Sequence, residues 1–308
     1  MSVVPMSPQQ TSSIFRSLFD EEESKKYIFN LLYPTGYVCP QHQRICTIVK
    51  RKDGRWAFQC ADGKHQIPLL SQTSFANSKL KVGTILQILF QFYIHTTQCQ
   101  CRLVSGASKQ TVSKYYSLCS SALCSQAFDK FEPIGGTGMV VLVDECIFRR
   151  RKAHRGHPKQ QIWIFGGVEM LPDGRQGRLF VTRVPNRTAQ TLWGVIRNCI
   201  KINSTIWSDE WSGYQCLSRT TDYQHLTVNH SVTFRDPDTG VNTNMIEGVW
   251  HQLRSFLPRN GVRTSQLDQK LGSFNGFKDL RLEFDQFVRL VALYHYDGSI
   301  RKFLFHLL

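Results

Sequence analysis

Met139-Val140-Val141-Leu142-Val143-Asp144-Glu145 is an unbroken apolar run that ends on two acids. A continuous run without polar alternation reads as a strand buried on both faces. Working outward, 161–170 and 178–184 read as two further strands, with the turn Pro172-Asp173-Gly174 between them. Thr188 opens an amphipathic helix to about Lys201, carrying Leu192, Val195, Ile196 and Cys199 on one side. A strand over 204–208 then ends in Asp209, followed by a short helix and a strand at about 224–229. A long helix is predicted from near Thr243 to about Leu257, stopping before Pro258. Strands in succession form an antiparallel meander and strands separated by helices lie parallel, so an α/β fold with a mixed sheet and flanking helices is expected.

Upstream of the decisive strand, the Pro/Gly-rich stretch 133–138 reads as a linker or tight turn. Before it, 79–127 has helical periodicity, with Ile85, Leu86, Leu89, Phe90 and Tyr93 on one apolar face. Residues 36–70 carry Cys and His among short alternating runs, and the polar leading segment ends in the acidic patch Asp20-Glu21-Glu22-Glu23 as a tail or short helix. The expected organisation is an N-terminal tail (1–35), a zinc-ribbon-like segment (36–78), a helix-turn-helix-like region (79–132), a catalytic domain (138–260) and a C-terminal helical extension (261–308).

The composition suits a folded chain: 41% of the 308 residues are hydrophobic and 12% aromatic. There are 38 Lys+Arg against 23 Asp+Glu, a formal charge of +15, which points to a polyanionic partner, above all nucleic acid. The first residues lack the apolar core of a secretory signal, and the apolar stretch 85–94 is interrupted by Gln87 and Gln91 and too short to span a bilayer. A soluble intracellular protein is expected, nuclear in a eukaryote and otherwise cytoplasmic, with no membrane partner. The ten cysteines then read as metal ligands or buried side chains rather than disulfides.

Asp144 and Asp209 each end a strand, and adjacent parallel strands bring such side chains to one edge of a sheet. Glu247, in Asn244-Met245-Ile246-Glu247-Gly248-Val249-Trp250, lies on the last helix, which can aim a carboxylate at the same point. Clustered carboxylates repel unless a cation compensates, and hard oxygen ligands select Mg²⁺ or Mn²⁺. Two such ions about 3.5–4 Å apart can activate an attacking oxygen and stabilise a leaving one in phosphodiester cleavage. Taken singly, each acid also suits a cap or a solvated position. Glu145, Glu210, Asp236 and Asp238 are rival carboxylates, and the last two lie in a Pro/Gly turn where Asp bonds locally to the backbone.

Other constellations add to this. Cys39 with His42, and Cys60 with His65, form two short-gap pairs of the kind that holds structural Zn²⁺, with Cys46 as a competing ligand. Cys99 and Cys101 read as core residues. The stretch 106–116 resembles the turn and second helix of a helix-turn-helix, presenting Lys109, Gln110, Ser113 and Lys114 to a groove, although a plain helical connector has the same pattern. Arg149, Arg150, Arg151, Lys152 and Arg155, with His154, suit phosphate contact beside the active site, or else a solvated loop or nuclear-import signal. His251 and Arg254 share a helix face with Glu247 and can touch DNA there.

Several blocks carry a family resemblance: Val143-Asp144-Glu145, the Arg-rich stretch to Gly156, Asn186-Arg187-Thr188-Ala189-Gln190-Thr191-Leu192, Ser208-Asp209-Glu210-Trp211-Ser212-Gly213-Tyr214, Val228-Asn229-His230-Ser231 and Phe234 to Trp250. They resemble Merlin-type DNA transposases and their bacterial insertion-sequence relatives. The resemblance implies an RNase H-like fold and a cut-and-paste DDE mechanism, with catalytic and metal-binding roles on Asp144, Asp209 and Glu247. It implies double-stranded DNA partners, namely terminal inverted repeats and target DNA. Pairing two transposon ends implies a homodimer or higher assembly. Relatives often carry a four-cysteine ribbon, from which this chain departs by placing His42 and His65 in the second and fourth positions. A host-recruited DNA-binding protein that has lost the chemistry, and a nuclease without strand transfer, are the competing functions.

Overall fold

The computed structural model describes residues 14, 16, 18–148, 161–228, 243–257 and 262–294. In chain order, helix α1 (Glu21–Leu32) precedes strands β1 (Thr47–Lys50), β2 (Trp56–Gln59) and β3 (Gln66–Pro68). Helices α2 (Val82–Tyr93), α3 (Gln98–Ser105) and α4 (Lys109–Asp129) follow, then strands β4 (Ile134–Gly135), β5 (Val140–Ile147), β6 (Trp163–Met170) and β7 (Gln176–Val184). After these come α5 (Ala189–Cys199), β8 (Ile200–Lys201), β9 (Thr205–Asp209), two 3-10 turns and β10 (Gln224–Val228). The last described elements are α6 (Asn244–Phe256), α7 (Thr264–Leu280) and α8 (Phe284–Leu293). Among the described residues no helix is long and apolar enough to cross a membrane.

Two compact units divide the chain, one formed by residues 1–122 and 281–297, the other by 123–280 and 298–308. In the first, Glu21–Leu32 is helical rather than tail: the Asp20 side chain accepts from the Glu23 N–H, and three acids in the first turn favour the positive helix end. Strands β1, β2 and β3 form a small antiparallel sheet whose core stacks Tyr37 on Phe58 at 4.1 Å. Helix α2 is buried beyond its expected face, since Ile88 and Phe92 are covered as well as Leu86 and Leu89. The cover is α8: Phe284 meets Phe90 at 5.3 Å and Phe287 stacks on Phe92 at 5.8 Å.

In the second unit the sheet order is β10-β9-β5-β6-β7. Strands β5, β6 and β7 are antiparallel neighbours, while β9 runs parallel to both β5 and β10. The expected mixed α/β sheet with flanking helices is therefore present. Alternation on β5 splits its side chains between two cores. Val141 and Val143 pack with Leu192, Val195 and Ile196 of α5, whereas Leu142 and Cys146 face Ile246, Val249 and Trp250 of α6.

Helix α7, in the stretch expected as a C-terminal helical extension, packs on the sheet and covers β7. Its Asn275 accepts from the Val181 N–H at 3.0 Å and returns a bond to the Val181 carbonyl at 3.1 Å, while Asp268 pairs with Arg183 through both oxygens. An edge strand closed by side chains leaves few backbone groups open to a stray strand. The stretch read as a linker contributes β4, two residues paired in parallel with β8.

Candidate active site and metal centre

The site follows from a parting of two strands. β5 and β9 pair in parallel from Val140 opposite Thr205 to Leu142 opposite Trp207. Beyond that point β5 stays with β6 as far as Ile147, while β9 stays with β10 as far as Asp209. Two more residues of the same register would set Asp144 opposite Asp209. Between them the sheet opens at the carboxyl ends of two strands whose connections leave in different directions, where ligands of α/β sheets are bound.

Asp144 lies on the α6 side of β5. Its Oδ1 accepts from the Glu145 N–H at 2.7 Å and its Oδ2 from the Trp250 indole N–H at 2.8 Å. Burial pushes its pKa up to about 6; those two donors oppose the shift, and the charges of Asp209 and Glu247 add to it. Gly166, opposite Asp144 on β6, makes room for the indole. A Cβ there would meet the Trp250 ring at 2.7 Å and the Phe180 carbonyl at 3.1 Å.

Asp209 accepts from the Trp211 N–H at 3.1 Å, and the preceding Ser208 hydroxyl bonds the Asp209 carbonyl at 2.7 Å. Glu247 is exposed in the first turn of α6, one turn before Trp250. Glu145 points to the opposite face from Asp144, where its Oε2 accepts from the Tyr214 hydroxyl at 2.8 Å. Burial raises its pKa to about 7; Tyr214 and Arg187 oppose this and Asp144 and Asp209 reinforce it. An open cleft of about 620 Å³ lies over this edge, lined by Asp144, Glu145, Trp163, Arg187, Trp250 and Arg254. Arg254 also donates to the Cys146 sulfur at 3.5 Å. His251 is exposed on α6 and Glu210 is exposed after β9.

The predicted basic residues Arg149, Arg150, Arg151, Lys152 and Arg155, and the rival acids Asp236 and Asp238, lie outside the described residues. Lys109 and Lys114 are exposed on α4, with Gln110 and Ser113 beside them. Gly106, in the left-handed region at φ 66°, ends α3 just before that helix. The geometry is that of two helices joined by a short turn.

In the first unit, Cys39, His42, Cys60 and His65 bring one ligand atom each to within 4.8 Å of one another. The Cys39 sulfur lies 3.5 Å from His42 Nδ1 and 3.6 Å from His65 Nε2, and the Cys60 sulfur lies 3.3 Å from His42 Nδ1. A tetrahedron with Zn–S near 2.3 Å and Zn–N near 2.05 Å has S···N edges of about 3.6 Å, so the spacing fits zinc. Burial raises the Cys39 thiol, but the His42 and Gln41 backbone donors and the His42 ring outweigh it and bring it down to about 6, which favours the thiolate that metals need. Cys46 lies beside both thiols, outside the four, and its own thiol is raised by burial and by those neighbours. Gly63 leaves room for the rings: a Cβ would meet His42 Cε1 at 2.6 Å and collide with His65.

The sequence reading missed Trp250 as the donor to Asp144, Tyr214 as the donor to Glu145, and Gly166 beneath the indole. A signal existed for the last: Gly166-Gly167 interrupts a strand of large side chains, which marks a close approach.

Comparison with known proteins adds a resemblance. Residues 138–258 match the ISXO2-like transposase domain. An uncharacterized transposase-like protein of Haemophilus influenzae is 28% identical over 89 residues, covering 28% of this chain and 68% of that protein. Both findings support a transposase family, and the matched domain is the stretch that builds all five strands of the sheet and the helix that brings Glu247.

Proposed function

We propose that this protein is a DNA transposase of the DDE type, close to the Merlin-type elements, which cuts and joins phosphodiesters at transposon ends. The observation that carries the reading is Asp144: a half-buried acid at the point where β5 and β9 part, with Asp209 at the end of the neighbouring strand. The mixed sheet with carboxylates on β5 just past its parting from β9, at the end of β9 and on a packed helix supports an RNase H-like catalytic domain over 138–260. The remaining divisions, a zinc-ribbon-like segment, a helix-turn-helix-like region and a helical C-terminal part, belong to the same proposal.

The residues fit a pair of Mg²⁺ or Mn²⁺ ions. Burial and repulsion raise Asp144, a strain that cations relieve, and each of its oxygens keeps a lone pair beyond its one hydrogen bond. Asp144, Asp209 and Glu247 would hold the ions, which when bound polarise the phosphodiester and activate the attacking oxygen. Trp250 fixes the plane of the Asp144 carboxylate. Arg254, His251, the basic stretch Arg149 to Arg155, and Lys109 with Lys114 on α4 would contact duplex DNA. Cys39, His42, Cys60 and His65 would hold a structural Zn²⁺. Bringing two ends together calls for at least a homodimer on the DNA.

The test is a cleavage and joining assay on plasmid DNA carrying candidate ends, with Mg²⁺ or Mn²⁺. Nicked or joined products that depend on Asp144, Asp209 and Glu247 are expected. Binding to DNA with no cleavage in either metal would favour a silent DNA-binding descendant, and cleavage without joining a plain nuclease.

A further inference from the structure

We propose that Arg187 is the phosphate receptor of the cleft, a guanidinium held ready for one backbone phosphate of the bound DNA strand. The inference rests on the DNA-cutting reading above and adds to it a residue that charge runs and carboxylate spacing do not single out.

The local sequence fixes where this arginine goes. Asn186 Oδ1 accepts from the Thr188 N–H at 3.1 Å, the Thr188 hydroxyl at 2.8 Å and the Thr191 hydroxyl at 2.7 Å. Those bonds lock the turn that leads into α5 and leave the intervening residue little freedom. The guanidinium carbon of Arg187 then lies 3.7 Å from the Trp211 ring and 4.8 Å from the Trp163 ring, at the wall of the cleft that also holds Asp144. The indoles come from different parts of the unit, Trp163 from the start of β6 and Trp211 from the turn after Asp209. Gly213 keeps Trp211 in place, since a Cβ there would strike the indole at 2.6 Å.

Among the described residues Arg187 has no ion pair and no hydrogen-bond partner for its guanidinium, although it is half-buried. Its charge reaches Glu145, whose carboxyl it helps to hold down, but the two do not pair. Aromatic contacts engage the π system of a guanidinium and leave its N–H edge free, and five donors without acceptors are costly at a half-buried position. A planar fork with a free edge beside catalytic acids matches the oxygens of a phosphodiester, which it can bind bidentately. Stacking also pre-organises the fork, so little freedom is lost when the anion arrives.

The same chemistry would accept a free phosphate ion, so the experiment includes both sources. Binding of the full chain to a random 40-base-pair duplex would be followed from about 50 to 200 mM KCl, where phosphate contacts dominate the salt dependence. Arg187→Gln is expected to weaken binding about tenfold and to reduce the log–log salt slope by about 0.9, one phosphate contact. Arg187→Lys is expected to restore the slope but only part of the affinity, because it keeps the charge and loses the stacked fork. Thermal melting checks that each variant folds. Should Arg187→Gln fail to fold, Arg187→Lys decides, and wild-type affinity in that variant would overturn the proposal. Unchanged affinity and slope in a folded Arg187→Gln protein would overturn it while leaving the transposase reading intact. Failure of the wild-type chain to bind duplex would sink both. Competition by millimolar inorganic phosphate that depends on Arg187, with duplex binding indifferent to the substitution, would make this a small-anion site and overturn the assignment to DNA.

Discussion

The Cys/His quartet and the carboxylate cleft, the two places we propose for cations, are built in opposite ways. The four side chains of the first come from a single stretch of chain and sit 3.3–3.6 Å apart where sulfur meets nitrogen. The acids of the second come from β5, β9 and α6, and they are not gathered to a comparable point. Neutral imidazoles and thiols can crowd together before a metal arrives, whereas carboxylates repel. A closed tetrahedral site stabilises a fold, and an open oxygen site keeps room for a substrate. On the proposed function, the contrast teaches that one cation would belong to the architecture and the other to the chemistry.

The largest test of that contrast is metal removal. A zinc-selective chelator is expected to unfold residues 36–70, because structural zinc contributes on the order of 10 kcal/mol to small domains, and limited proteolysis would detect new cuts there. Mg²⁺ withdrawal is expected to stop strand cleavage with no change in the proteolytic pattern; unfolding in both cases would erase the distinction. Next in size, Asp144→Asn should lower cleavage on the order of 10⁴-fold while bound zinc, measured by atomic absorption, stays as in the wild type. Trp250→Phe removes the indole donor to Asp144 and should cost about 10–100-fold in cleavage, an effect that is smaller because the carboxylate keeps its Glu145 N–H bond. Equal cleavage by Trp250→Phe and wild type would show that Asp144 needs no such orientation.

The smallest effect concerns pH. Asp144 and Glu145 have folded-state pKa values raised to about 6 and about 7, above ordinary values of 3.8 and 4.5. The folded chain therefore holds these protons more tightly than the unfolded chain does. That contribution to stability is complete below pH 4 and is lost as pH rises through 6 and 7. In denaturant titrations without divalent metal, the paired variant Asp144→Asn, Glu145→Gln should flatten this fall, and Mg²⁺ should flatten it in the wild type. A slope untouched by either would place its origin elsewhere.

Much of the sheet was legible from sequence because its signals are local. An apolar run before Asp144, turn residues at Pro172-Asp173-Gly174 and the cap at Thr188 each act over a few residues, and the strands and α5 lie within a residue or two of their expected ends, apart from β5, which was expected to end at Asp144 and runs on to Ile147 because it stays paired with β6. The Cys/His pairs were legible for the same reason. What escaped depends on distant chain segments. Trp250 reads as one more apolar residue on a helix until β5 places a carboxylate against it. Asn275 and Asp268 read as solvent-facing until β7 turns out to be an edge that they close. Arg187 reads in sequence as one polar residue before a helix, yet its meaning lies in two indoles, at positions 163 and 211, that only the folded sheet brings to it.

The route of the chain through its two units has a consequence for biosynthesis. The first unit receives α8 only after residues 123–280 of the second unit have been made, because residues 281–297 return to it. A ribosome thus releases the five-stranded sheet while Phe90, Phe92 and Tyr93 of α2 still await Phe284 and Phe287. Nascent chains at that stage expose an aromatic surface that the finished protein hides, and they are natural clients for chaperones. A truncation after Leu280 would make that transient state permanent, so loss of a short C-terminal piece is expected to damage the N-terminal unit first.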